Sequence, residues 1–164
     1  MNASANKVAR KLRMTSLGFT LIELMVTIAV LAIIVSIAAP NISTQLANQR
    51  VKSTTATLAN ALKEAKAESL IRRQEIKFSY DNNDTDEAGT ITFESDNAVI
   101  TTYQYSAKSI ISSNDDDELK FKPNKTVDTM EFTICDSNTN ATPRQVAISS
   151  VANIAIRTNA GATC

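Results

Sequence analysis

The sequence predicts an α+β fold, in which one long N-terminal helix packs on an antiparallel β-sheet. Three observations carry this. From Phe19 to Arg73 there is no glycine and a single proline, Pro40. From Gln74 onward the apolar period changes to two, the period of a half-buried strand. No second helix-length segment separates the later strand candidates, so one sheet lies against one helix.

The helix begins in an apolar run. Residues 19–39 are apolar or small apart from a few hydroxyls, and Glu23 is their only charge. About twenty such residues span a hydrocarbon core. A carboxylate near the end of such a helix is costly and needs a partner, which marks Glu23 as functional. Before it, Lys7, Arg10, Lys11 and Arg13 give residues 1–18 four cations and no acid. Basic flanks stay in the cytoplasm, so the remainder faces the periplasm. The competing reading is an ordinary signal peptide cut near Ser36-Ile37-Ala38-Ala39-Pro40. It gives no reason to keep Glu23, and a proline directly after the last alanine is a poor cleavage context.

Gly18-Phe19-Thr20-Leu21-Ile22-Glu23-Leu24 resembles the processing site of the type IV pilins and type II secretion pseudopilins. The resemblance implies a leader, residues 1–18, removed by a prepilin peptidase between Gly18 and Phe19, with N-methylation of the new Phe19 amine. It implies that Glu23 meets the Phe19 amine of a neighbouring subunit during assembly. It also places Pro40 where many members carry a helix-loosening proline, and a proline there lacks the N–H of a regular helix.

The domain plan follows. Residues 19–40 form the membrane-spanning and later fibre-core helix, 41–73 its amphipathic continuation, and 74–164 a β-rich periplasmic domain. In the continuation Ile42, Leu46, Val51, Leu58, Leu62, Ala65 and Leu70 recur mostly at three, four or seven residues, a stripe suited to a sheet. Lys63, Glu64, Lys66, Glu68, Arg72 and Arg73 read as a solvated face, with Glu68 and Arg72 at i,i+4 spacing.

Strands are expected over 75–80, 90–94, 98–105, 119–122, 131–135, 145–148 and 154–157, with turn-rich loops at 81–89 and 112–118. This order sharpens the resemblance. Thr57–Phe78, TLANALKEAKAESLIRRQEIKF, resembles the helix-to-strand passage of the H-type pseudopilins and their pilus counterparts, the GspH/FimT/FimU minor pilins. Many of these end in an S-x-x-G-R-x-R strand and a C-terminal cysteine. Here Ser149 to Ala155 occupies that stretch, with Ala152, Asn153 and Ala155 replacing the glycine and both arginines. The cysteine is present as Cys164.

Charge and composition exclude several functions. Seventeen basic and seventeen acidic residues cancel; without the four leader cations thirteen face seventeen, a net charge of −4. Such a chain is not preset for nucleic acid. Lys120, Lys122, Lys125, Arg144 and Arg157 could form a basic patch, but no aromatics interleave with them. Arg144 and Arg157 are the best residual DNA contacts, and DNA binding is not expected. With no histidine, the commonest general base and metal ligand is missing. No enzyme, cofactor or metal site is expected. The clusters Asp81-Asp84-Asp86-Glu87 and Asp115-Asp116-Asp117-Glu118 invite calcium, yet neither has EF-hand spacing, and solvated loops are the expectation.

Cys135 and Cys164 form an even pair in an oxidising compartment. A disulfide between them is expected, with free thiols as the alternative.

The function expected from the resemblance is that of a minor pilin of a type IV pilus, a structural subunit that helps initiate assembly and sits near the tip. The alternatives are an H-type pseudopilin of a type II secretion system or a pilus-borne DNA receptor. The implied partners are other pilins and minor pilins through the helix, the prepilin peptidase, and the inner-membrane assembly platform. The implied location is the inner membrane before assembly and the surface fibre afterwards.

Overall fold

The computed structural model describes residues 18–83, 87–115, 118–158 and 164, the side chains of 39 and 40 excepted. The chain divides into two units, up to Ala38 and from Ala39 to Cys164, taken separately below. One helix, α1 (Leu21–Arg72), contributes to both. The leader reading for residues 1–17 and the kink reading for the Pro40 ring lie outside the described parts.

Eight strands follow: β1 (Ile76–Asp81), β2 (Gly89–Ser95), β3 (Ala98–Tyr105), β4 (Ser109–Ser113), β5 (Leu119–Phe121), β6 (Met130–Asp136), β7 (Arg144–Ile148) and β8 (Ile154–Thr158). The α+β fold of the sequence reading holds, with two differences. The strands form two four-stranded antiparallel sheets rather than one, ordered β3-β2-β1-β5 and β4-β6-β7-β8. And β4 occupies a stretch where no strand was expected. Its sequence Ser-Ile-Ile-Ser-Ser lacks alternation, and pairing with β6 overrides that weak local signal.

In the second unit α1 buries Ala47, Val51, Thr55, Leu58, Leu62, Ala65 and Ser69, a run of three- and four-residue steps, with Thr54 beside it. The expected stripe was out of phase at its start: Ile42 and Leu46 are 62% and 55% exposed. The small Ala47 takes the core position instead. Phe93, Phe121 and Phe132 are fully buried against this face, along with Ile76, Ile91 and Ile134. Each such side chain contributes about 1.5–3 kcal/mol by leaving water.

The expected solvated face also needs correction. Lys66 donates its ammonium to the carbonyl of Ala152 at 2.7 Å, and Tyr103 donates its hydroxyl to Glu64. Glu64 lifts the Tyr103 phenol above its usual range, chiefly through that bond. Lys63 and Arg73 are exposed as expected, and Arg72 with Glu68 forms an i,i+4 surface pair.

Turns close where the backbone can adopt a positive φ. Arg73, at φ 57°, ends α1 in the left-handed position glycine usually fills. Asp96 and Asn97, at 50° and 63°, make the two-residue hairpin between β2 and β3. Ala152, at 55°, lies in the β7–β8 turn. Its site is the one that the family pattern fills with glycine, so the turn keeps glycine's conformation without the glycine.

Side chains join the sheets, Asn82 among them. The Asn82 amide donates to the Ile111 carbonyl at 2.8 Å and accepts the Ile111 N–H at 2.8 Å. It thus pairs with β4 as a peptide group would. Tyr105 braces it, donating to the Asn82 Oδ1 at 2.8 Å and to the Asp81 carbonyl at 2.9 Å. Burial, then the nearby Asp81 and Tyr80, push the Tyr105 phenol far up, so it remains a donor at any physiological pH. Gly89 faces that ring: a Cβ there would lie 2.2 Å from it.

Candidate functional site

The first unit carries the assembly residues. Gly18, Phe19 and Thr20 precede the helix, and Phe19 is 78% exposed. Thr20 caps α1: its Oγ1 accepts the Glu23 N–H at 3.2 Å and its carbonyl accepts the Leu24 N–H at 3.2 Å. Thr20 and Glu23 stand at N-cap and N3, the spacing of a capping box. Glu23 therefore sits in the first turn, where a negative charge complements the helix dipole. Among the described residues no cation faces its carboxylate.

Beyond Glu23 the surface of α1 is apolar. Leu24, Met25, Val26, Ile28, Leu31 and Ile34 are all more than half exposed, and the run continues to Ile37. The hydroxyls within it turn inward on the helix itself. Thr27 Oγ1 donates to the Leu24 carbonyl at 2.8 Å, and Ser36 Oγ to the Ile33 carbonyl at 2.7 Å. A helix that satisfies its own polar groups and exposes only hydrocarbon suits a lipid or helix-bundle environment. By length and composition α1 is able to cross a membrane.

The second unit holds the remaining residues singled out in the sequence. Cys135 and Cys164 are joined, with Cα atoms 5.9 Å apart, so the C-terminus is fixed to β6. Arg144 and Arg157 are not brought together. In the β7–β8 register Arg144 lies opposite Thr158 and Gln145 opposite Arg157, so the two arginines point to opposite faces. Arg144 shares the face of Val146 and Ile148; Arg157 pairs with Glu131 at 3.2 Å on the other. Lys120 lies on the other sheet, 3.0 Å from Glu118. The Glu118 carboxyl is held below its usual range, first by the Lys120 hydrogen bond and then by the Lys77 and Lys120 charges.

Asp84, Asp86, Asp116 and Asp117 of the calcium hypothesis lie outside the described residues. Among the described residues no three carboxylates or thiols converge.

Sequence reasoning missed the anchor between helix and sheet. Arg50 grips Asp136 with two hydrogen bonds of 2.8 Å, Nε to Oδ2 and Nη2 to Oδ1. The Asp136 side chain is fully buried and that of Arg50 is 21% exposed. Burial alone would raise the Asp136 carboxyl. The Arg50 hydrogen bonds, the Asn138 N–H and the charges of Arg50 and Lys108 outweigh it and hold the group below its ordinary value. Around this pair Thr142 N–H donates to Asn48 at 2.7 Å and Thr54 donates to Ser109 at 3.0 Å.

An exposed apolar helix entered through Gly18–Phe19, whose other half packs on antiparallel sheets, defines a pilin-type subunit. Residues 13–39 match the prokaryotic N-terminal methylation motif. Residues 54–152 match the family model of the type II transport protein GspH, and the chain belongs to that family of minor pilins and pseudopilins. Solved structures of two other proteins, among those that match, share the fold. The type IV minor pilin FimU of Pseudomonas aeruginosa aligns with a TM-score of 0.55 at 19% identity, over 66% of this chain and 89% of its own. The minor pseudopilin EpsH from the type 2 secretion system of Vibrio cholerae aligns with a TM-score of 0.55 at 11% identity, over 68% and 98%. No curated protein sequence matches the chain at a significant level.

Proposed function

We infer that this chain is a minor pilin of a type IV pilus, a structural subunit that helps initiate assembly near the fibre tip. The observation that carries the reading is the helix surface from Phe19 to Ile37, exposed throughout and bearing one acid, Glu23, in its first turn. Such a surface requires lipid first and the helices of other pilins afterwards. Prepilin peptidase cuts between Gly18 and Phe19 and methylates the Phe19 amine. In the fibre the Glu23 carboxylate, removed from water, pairs with the Phe19 amine of a neighbour. The assembly platform of the inner membrane delivers the subunit to the cell surface.

A second reading, the H-type pseudopilin of a type II secretion system, is favoured by the description of the family model matched by residues 54–152. Gene deletion separates the two. Loss of surface pili with secretion intact supports the first, and the reverse result replaces it with the second. Mass spectrometry of the native protein tests both: an N-terminus beyond Ala39 would remove the pilin reading. With processing correct, Glu23→Ala is expected to leave cleavage intact and to deplete the subunit from sheared fibres.

A further inference from the structure

Two four-stranded sheets have four edges, and an open edge is a template for another extended chain. Three are closed by recognisable devices among the described residues. On β4, Ile111 directs its N–H and C=O away from β6, and the Asn82 amide takes both. On β3 the register with β2 shifts between Phe93 and Glu94, so that Ile100 is an extra residue and the strand is bulged. β5 is three residues long with Lys120 at its centre.

Among the described residues the fourth edge, β8, has no such device. It pairs with β7 residue for residue over its whole length, without bulge or proline. The hydrogen-bond phase is set by the turn, where the Ser149 N–H donates to the Asn153 carbonyl at 3.0 Å. Alternation from that pair makes Ala155 and Arg157 the residues bonded to β7. Ile154 and Ile156 therefore direct their N–H and C=O to the open side. Ile156 is 48% exposed although its partner Val146 is fully buried, so β8 overhangs the core. The one charge on β8, Arg157, is drawn onto the sheet face by Glu131 and does not guard the edge. Cys164 itself is fixed to β6, two strands inboard. The turn that feeds β8 holds Ala152 at φ 55°, a conformation costly for alanine, and Lys66 clamps its carbonyl at 2.7 Å.

We propose that the outer edge of β8 is an acceptor for a β-strand from a different subunit of the fibre, bonded through Ile154 and Ile156. An open strand edge is complemented by another extended backbone. The donor places apolar residues beside Ile154 and Ile156 and no cation beside Arg157. A second copy of this chain does not fit. Its three other edges are closed, and β8 against β8 in antiparallel fashion would set the sheet-packed parts of the two α1 helices in opposite directions. One open edge among the described residues thus gives the subunit one sheet-mediated neighbour. The proposal rests on the fibre-subunit reading above.

Hydrogen exchange on the full-length protein tests it, comparing the detergent-solubilised subunit with sheared fibres that contain it. The Ile154 and Ile156 amides should exchange freely in detergent and slow on the order of 100-fold or more in fibres, where a paired amide exchanges only through rare opening. Ala155 and Arg157 should be slow in both. Equal exchange of Ile156 in the two states overturns the proposal, as does protection already present in detergent. Fibres lacking the subunit altogether overturn the fibre reading and the proposal with it. Ile156→Pro removes the central outward donor while sparing the β7 ladder. It should keep the disulfide and wild-type melting yet lower incorporation into fibres at least tenfold; wild-type incorporation of a folded variant also overturns the proposal.

Discussion

Removing the Arg50 guanidinium should be among the most damaging single changes to the second unit. Arg50→Ala strands a carboxylate whose side chain is fully buried and deletes two hydrogen bonds of 2.8 Å. Breaking a buried ion pair costs about 3–5 kcal/mol. Because Arg50 is 21% exposed, water partly re-enters, and the lower end, about 3 kcal/mol, applies. With ~2.1 cal/mol/K per residue of unfolding entropy, a unit spanning Ala39–Cys164 loses ~0.26 kcal/mol per kelvin, so its Tm falls by about 11 °C. Thermal unfolding of the detergent-solubilised full chain reads this directly. Replacing both partners, Arg50→Met with Asp136→Leu, should recover most of the loss, because no charge is left stranded. A drop under about 3 °C for the single variant, or a double variant no better than the single, would refute the reasoning. The pH dependence supplies an independent check. The Asp136 carboxyl is depressed below its ordinary 3.8 in the folded chain. Its contribution is therefore fully present above that value and is lost as pH falls from there through the folded pKa. In Arg50→Ala burial acts unopposed by Arg50, so the gap between wild type and variant should narrow as pH falls toward the ordinary 3.8 and on through the folded wild-type pKa.

Three further outcomes are expected. Gly89→Ala drives a methyl to within 2.2 Å of the Tyr105 ring, which Asp81 and Asn82 pin in place, and should cost about 1–3 kcal/mol in denaturant unfolding. Ala152→Gly, at φ 55°, should stabilise by about 1 kcal/mol in the same assay, with the Lys66 contact intact. The full-length protein should give no gel shift with duplex DNA at physiological salt, because Arg144 and Arg157 face opposite ways and Arg157 is engaged by Glu131; micromolar binding abolished by Arg157→Ala would restore the receptor reading.

The sequence disclosed what depends on local pattern. The helix was legible because one proline and no glycine interrupt residues 19–73, and seven of eight strands because alternation or β-branched runs mark them. Cys135–Cys164 was legible from an even count and a compartment. Pairings across the chain were not. Arg50 and Asp136 are 86 residues apart, and nothing in Asn-Gln-Arg-Val or Cys-Asp-Ser foretells their meeting. The division into two sheets depends on strand order, which composition does not encode. Ile42 and Leu46 misled because exposed apolar residues on a helix look, in one dimension, like the start of a core stripe.

The Asn82 bridge has a consequence for how the sequence can vary. Aspartate would set an acceptor against the Ile111 carbonyl, serine would fall short of two atoms at once, and glutamine would overreach by a methylene. Asparagine alone carries a donor and an acceptor on one planar group at this reach. A saturation screen should therefore find this polar, half-exposed loop residue as immutable as the phenylalanines of the core.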